Sequence, residues 1–149
     1  MAITNVGGPY VLGKASEANL ITCTPGIQIV VREAIKIFDF RVNEGYRTPE
    51  RQLILYNQGR KTPGDIVTNI DGYKKKGMHN YKPSRAVDLV PYRVGVGDLW
   101  ADRDSFIHLA GIMLAIAHMK GIKIRWGNDW NQDDNFADGW DLPHFEELL

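Results

Sequence analysis

Ala86-Val87-Asp88-Leu89-Val90-Pro91-Tyr92 is the stretch on which the fold turns. All but Asp88 are apolar or aromatic, and the run is too short for a helix, so it reads as a buried strand. A carboxylate inside such a strand is costly unless it is paired or bound to a metal. The segment before it, Gly77-Met78-His79-Asn80-Tyr81-Lys82-Pro83-Ser84-Arg85, is rich in turn residues and carries a histidine.

Towards the C-terminus, residues 104–120 form the clearest helix, with Asp104 or Ser105 as cap and Gly121 as stop. Ile107, Ala110, Gly111, Leu114, Ala115 and Ala117 are its expected inward stripe. Residues 122–127 read as a strand, 128–138 as a polar loop and 142–147 as a last short strand. Towards the N-terminus, residues 60–76 are a long connection marked by Pro63-Gly64, Asn69 and Asp71-Gly72. A loop of that length in a small domain is often functional. Its lysine run, Lys74-Lys75-Lys76, reads as a solvated edge. Before it, Thr48 caps a helix with Pro49 at its first position, running to Gly59. Phe40 to Arg47 begins with strand alternation. Thr24-Pro25 starts a helix whose apolar positions Ile27, Val30, Val31, Ala34, Ile35 and Phe38 carry it to about Asp39. Residues 16–20 form a helical turn, and Gly8-Pro9 marks a turn in the glycine-rich opening. Helices first, then mixed strands and helices, favour α+β with a small, mostly antiparallel sheet.

The chain has 149 residues, the length of one domain. Eighteen basic residues balance eighteen acidic ones, so no net positive field favours nucleic acid as partner. The single cysteine, Cys23, excludes an internal disulfide and cysteine-rich zinc modules, and reads as a small buried residue. No signal-peptide pattern opens the chain, and the apolar stretch 106–119 is too short and too polar to span a bilayer. The expectation is a protein kept in the cytoplasm until something releases it.

Four histidines are present. His108 and His118 share a helix but point about 80° apart and are separated by about 15 Å along it, so they cannot share a metal. His79 and His144 each adjoin a strand and have a carboxylate nearby: Asp88, and Asp141 in Trp140-Asp141-Leu142-Pro143-His144-Phe145-Glu146. Two imidazoles and a carboxylate are the ligand set of a catalytic zinc with an open position. The competing reading pairs Asp88 with Arg47 or Arg85 and leaves the histidines ordinary. Spacing alone does not choose between them.

Three blocks do choose. Glu44-Gly45-Tyr46-Arg47-Thr48-Pro49-Glu50-Arg51-Gln52, His79-Asn80 with Pro83-Ser84-Arg85-Ala86-Val87-Asp88, and Asp141-Leu142-Pro143-His144-Phe145-Glu146 resemble, in order, the blocks of the M15 metallopeptidases. These are the zinc D-Ala-D-Ala carboxypeptidases and the L-alanyl-D-glutamate endopeptidases of phage endolysins. The resemblance runs from about Ile27 to the C-terminus and is strongest to the compact endolysin branch. It implies one M15-like peptidase domain over 1–149, with a Hedgehog/DD-peptidase-like fold. It implies zinc on His79, Asp88 and His144, Asp141 as general base and acid, and Arg47 as a catalytic and substrate-docking residue. Gln52 is a further substrate-binding candidate, held equally as a helix-surface residue. Zinc acidifies water and polarises a carbonyl, and a nearby carboxylate carries the proton to the leaving amine.

Two departures stand out. Gly77 replaces the usual serine two residues before the first histidine, and the nine-residue interval from His79 to Asp88 is longer than the commoner spacing, through an insertion around Tyr81-Lys82-Pro83. The expected function is hydrolysis of peptidoglycan stem peptides, at the L-Ala–D-Glu bond and by a zinc-activated water, by a monomeric phage lysin without membrane insertion. The alternatives are a D-Ala-D-Ala carboxypeptidase and a metal-stabilised wall-binding or structural module. The loop Asp129-Trp130-Asn131-Gln132-Asp133-Asp134-Asn135 alternates oxygen ligands like the start of a Ca2+ loop, but lacks that loop's glycine and closing glutamate.

Overall fold

A computed structural model describes residues 10–137 and 139–149. The Gly8-Pro9 turn lies outside them. Four helices, α1 (Lys14–Leu20), α2 (Pro25–Ala34), α3 (Pro49–Asn57) and α4 (Arg103–Lys120), accompany β1 (Phe40–Glu44), β2 (Ala86–Arg93), β3 (Gly97–Asp98), β4 (Ile124–Trp126) and β5 (His144–Glu147). The sheet is open and antiparallel in the order β1-β2-β5-β4, with β3 paired to the end of β2. The architecture is α+β, as expected. The apolar 86–92 run is the inner strand β2, and the C-terminal tail is the strand beside it.

Helices α2 and α4 cover one face of the sheet. Ile27, Val30 and Val31 from α2 and Leu109, Met113 and Ile116 from α4 meet Val87, Leu89, Trp126 and Phe145 in one core. Side chains alternate along a strand, so the neighbours Asp88, His144 and Glu146 emerge on the opposite face, away from α2 and α4. A fully buried aliphatic or aromatic side chain contributes about 1.5–3 kcal/mol, so this core fixes which face β2 and β5 turn outward.

Local signals set most helix ends. Thr24 and Thr48 each accept a backbone N–H from the first turn, with proline next in sequence. Helix α2 stops at Ala34, short of Asp39, and passes into turns. Helix α4 is capped by Asp102, whose carboxylate accepts the Ser105 N–H, rather than by Asp104 or Ser105. Its inward face also differs from the expected stripe: Phe106, Leu109, Ala110, Met113, Ile116 and Ala117 are buried, while Gly111 and Ala115 are exposed. Apolar residues occur on every side of α4, so periodicity alone does not single out the face. The largest side chains, Phe106 and Met113, take the core. Helix α3 is the reverse case. Its Ile54 is exposed, and Gln52 is its buried residue.

Cys23 is buried, and burial pushes its thiol up to about 12. His108 and His118 lie exposed on α4, with His108 edge-on to Phe38 at 4.8 Å. No described helix is long and apolar enough to cross a membrane.

Candidate active site

The site is a row of side chains on the face of the sheet turned away from α2 and α4. Glu44, Asp88 and His144 are directly opposed across β1, β2 and β5. Opposed residues of an antiparallel pair share a face and stand close together. A register shift between Val42 and Glu44 brings Glu44, rather than Asn43, opposite Asp88. Such a bulge re-aims side chains beside a site.

His79 joins the row from a single 3-10 turn, Met78–Asn80. The His79 carbonyl accepts the Arg47 N–H at 2.8 Å, and the Asn80 side chain donates to the Arg47 carbonyl at 2.9 Å. The turn is thereby tied to the chain leaving β1. Asn80 also closes the turn by accepting the Gly77 N–H at 2.8 Å. This bond uses Gly77's backbone and does not need the hydroxyl of the family serine.

Asp88 meets both histidines and also Arg47, so the ion pair of the competing reading occurs beside the histidine contacts. Its Oδ1 lies 3.1 Å from His79 Nε2 and 3.4 Å from His144 Nδ1, while its Oδ2 lies 3.5 Å from Arg47. Arg85 instead stacks over the Tyr81 ring at 4.0 Å. Burial alone would raise the Asp88 carboxyl, but the charges and hydrogen bonds of His79 and His144 hold it well below the usual carboxylate range.

His79, Asp88 and His144 offer ligand atoms within 4.8 Å of one another, the one such group among the described residues. The donor set fits a zinc ion, because the second nitrogen of each imidazole is already engaged. His79 Nδ1 is 2.7 Å from the Gly45 carbonyl, an acceptor only, so it donates and leaves the Nε2 lone pair facing Asp88. His144 Nε2 is 2.8 Å from Glu146 Oε1, which leaves Nδ1 facing the same point. Metal-ligating histidines are typically oriented in this way. The Asp88–histidine separations also approach the roughly 3.3 Å edge of a tetrahedron with zinc–nitrogen bonds of about 2.0–2.1 Å.

Glu146 is held in turn by Arg125, Nη2 to Oε2 at 2.7 Å. Burial would raise its carboxyl, but the hydrogen bonds from His144 and Arg125 lower it. Burial disfavours a charged His144, yet Asp88 and Glu146 outweigh that and push it up to about 10. A metal must therefore displace a proton from this imidazole.

Asp141 lines the same cleft as His79, Asp88 and His144. Among the described residues no hydrogen bond engages its carboxylate, and burial pushes its pKa up against the pull of His144. Arg47 and Gln52 line the cleft too, but both are committed. Arg47 Nε and Nη2 grip both oxygens of Glu44 at 3.0 and 2.7 Å, and Nη1 donates to the Gln52 amide oxygen at 3.0 Å. Gln52 is 2% exposed, and its NH2 donates to the Ile70 carbonyl at 2.8 Å. It ties the long connection to α3.

Sequence reasoning gave no role to Glu44, Gly45 and Glu146, although they lie in the resembling blocks, and missed Arg125 and Gly127. The signal for Glu146 was its alternation with His144 along one strand. The others depend on long-range pairing. A Cβ on Gly45 would fall 2.3 Å from the Asn19 carbonyl oxygen, and one on Gly127 would fall 2.6 Å from the Asp141 carbonyl oxygen. Both positions admit only glycine where the backbone supports the site. In the oxygen-rich loop 129–135, the buried Asp129 carboxylate accepts the N–H groups of Asp133 and Asp134 at 3.1 and 3.2 Å. It organises its own loop with those oxygens.

The phage L-alanyl-D-glutamate peptidase family model matches residues 9–148. The L-alanyl-D-glutamate peptidase of Escherichia phage T5 is 28% identical over 131 residues, 87% of this chain and 88% of that protein. The peptidoglycan L-alanyl-D-glutamate endopeptidase CwlK of Bacillus subtilis is 29% identical over 117 residues, 77% of this chain but only 64% of CwlK. The crystal structure of the Serratia marcescens L-Ala D-Glu endopeptidase ChiX superposes with a TM-score of 0.63 at 24% identity, over 99% of this chain and 96% of that one. That likeness concerns the fold.

Proposed function

The chain belongs to the phage L-alanyl-D-glutamate peptidase family, and from that premise we propose that it is a zinc-dependent endopeptidase cutting the L-Ala–D-Glu bond of peptidoglycan stem peptides. The observation that carries the reading is the convergence of His79 Nε2, Asp88 Oδ1 and His144 Nδ1 beside the unengaged carboxylate of Asp141. In this reading the protein acts as a monomeric phage lysin, held in the host cytoplasm until it reaches the wall. The relatives named above for this activity support the choice of bond.

Zinc on His79, Asp88 and His144 would supply Lewis acidity, activating water and polarising the scissile carbonyl. The protein's own groups do the rest. Asp141, made more basic by burial, takes a proton from the attacking water and returns it to the departing amine. Arg47 has one Nη1 hydrogen left after its bonds to Glu44, Gln52 and Asp88, and directs it at the substrate carbonyl oxygen. Its remaining donors hold Glu44 and Asp88 in place. Gln52 fixes the distance between Arg47 and the 66–70 wall of the cleft.

Asp141→Asn tests the proposal in a wall-lysis assay with metal content measured on the same sample. Zinc should stay bound while lysis falls by about 10²–10⁴-fold. Lysis at the wild-type rate would remove Asp141 from the mechanism, whereas no lysis by the zinc-loaded wild type would leave a metal-stabilised wall-binding module as the better reading.

A further inference from the structure

The cleft of about 750 Å³ in front of the site is electrically divided. Its floor carries Glu44, Asp88, Asp141 and Glu146. Its cationic lining residues are Arg47, Arg51 and Lys75. Arg47 keeps one free Nη1 hydrogen, which the mechanism above gives to the substrate carbonyl oxygen. Arg51 Nε is drawn towards Glu44 Oε1 at 3.5 Å. Lys75 is the remaining cation, and among the described residues no carboxylate lies within 4.0 Å of its ammonium.

The three lysines of the 74–76 run separate in the structure. Lys76 lies over the Tyr81 ring at 4.4 Å. Lys74 contributes its charge to the neighbourhood of Asp71. Lys75 lines the cleft. Its backbone is fixed rather than trailing: the Asp71 carboxylate accepts the N–H groups of Tyr73, Lys74 and Lys75 at 3.0, 2.9 and 3.1 Å, and the Lys75 carbonyl accepts the Gly72 N–H at 3.0 Å. An exposed cation is therefore presented to the cleft from an ordered turn.

A glutamate residue joined into a chain through one carboxyl keeps the other free. Beside the scissile bond of an L-Ala–D-Glu substrate there is thus a carboxylate, which Asp141, the floor carboxylate without a partner among the described residues, repels. Building on the peptidase reading, we propose that Lys75 is a specificity-determining residue that binds this free carboxylate and orients the leaving side of the substrate away from the acidic floor. Charge complementarity of this kind selects register and excludes wrong partners. It would make the chain discriminate between a stem peptide with a free glutamate carboxylate and the same peptide carrying a carboxamide.

The test is steady-state cleavage of two synthetic stem peptides, identical except for carboxylate or carboxamide at that position, by the zinc-loaded wild type and by Lys75→Gln, Lys75→Arg and Lys74→Gln. A charge-assisted hydrogen bond contributes enough for the wild type to favour the carboxylate by about tenfold in kcat/KM, mostly through KM. Lys75→Gln should lose that preference by becoming worse on the carboxylate alone, with Lys75→Arg restoring it and Lys74→Gln behaving as wild type. A preference that survives Lys75→Gln, or an equal loss on both peptides, overturns the assignment while leaving the peptidase reading intact. Failure of the wild type to cut either peptide would remove both.

Discussion

His144 is held from two sides, by Asp88 at Nδ1 and Glu146 at Nε2, and two consequences can be measured. Glu146→Gln keeps the shape but weakens the acceptor that orients the imidazole. Zinc affinity should fall by about 10–100-fold in competition with a chelator, and unchanged affinity would show that Glu146 does not orient the ligand. The second consequence concerns the protein stripped of metal. There the folded His144 titrates at about 10, above its ordinary 6.5. The proton is bound more tightly in the folded state, so this contribution is complete below 6.5 and is lost as pH rises towards 10. The urea midpoint of stripped protein should decline between pH 7 and 8, below the range where the unfolded Cys23 thiol ionises, and His144→Asn should flatten the decline. A midpoint that rises over this range contradicts the arrangement. At this scale the sequence was informative about residue types: His79, Asp88, Asp141 and His144 were picked out, and all four line one cleft. It was silent on Glu44 and the Gly45 carbonyl, because their places follow from a bulge and a tertiary hydrogen bond.

Each element shows a different balance of local and long-range control. Helix starts at Thr24 and Thr48 were legible because a hydroxyl cap followed by proline is a local signal. The inward face of α4 was not, since the helix is apolar on every side. The two readings of α4 make opposite predictions. With Gly111 exposed and open space around a Cβ there, Gly111→Ala should stabilise the fold by about 0.5–1 kcal/mol through helix propensity. Met113→Ala should destabilise it by about 2–5 kcal/mol. Destabilisation by Gly111→Ala in a denaturant melt would put the expected stripe back in the core. At the β4 end, the Gly127 N–H donates to the His144 carbonyl at 2.7 Å and its missing side chain admits the Asp141 backbone. Gly127→Ala should displace the turn holding Asp141 and His144, lowering lytic activity and zinc content together. A variant with both intact would show that the turn tolerates the displacement.

In the whole molecule, one sheet separates two tasks. Its α2/α4 face makes the core, and its other face carries the row of Glu44, Asp88 and His144. The α+β class and antiparallel sheet could be read from the succession of apolar runs. The order β1-β2-β5-β4 could not, because antiparallel strands close together through pairings far apart in the chain. That order changes the status of the tail. Strand β5 lies between β2 and β4, so a chain ending at Pro143 loses an inner strand as well as His144. It should show no cooperative thermal transition, whereas His144→Ala should retain one and lose zinc. The central claim concerns the bond that this face of the sheet cleaves. The direct measurement is mass spectrometry of purified peptidoglycan digested by the zinc-loaded protein. The account predicts fragments with new N-terminal D-Glu, and release of free D-Ala without them would contradict it.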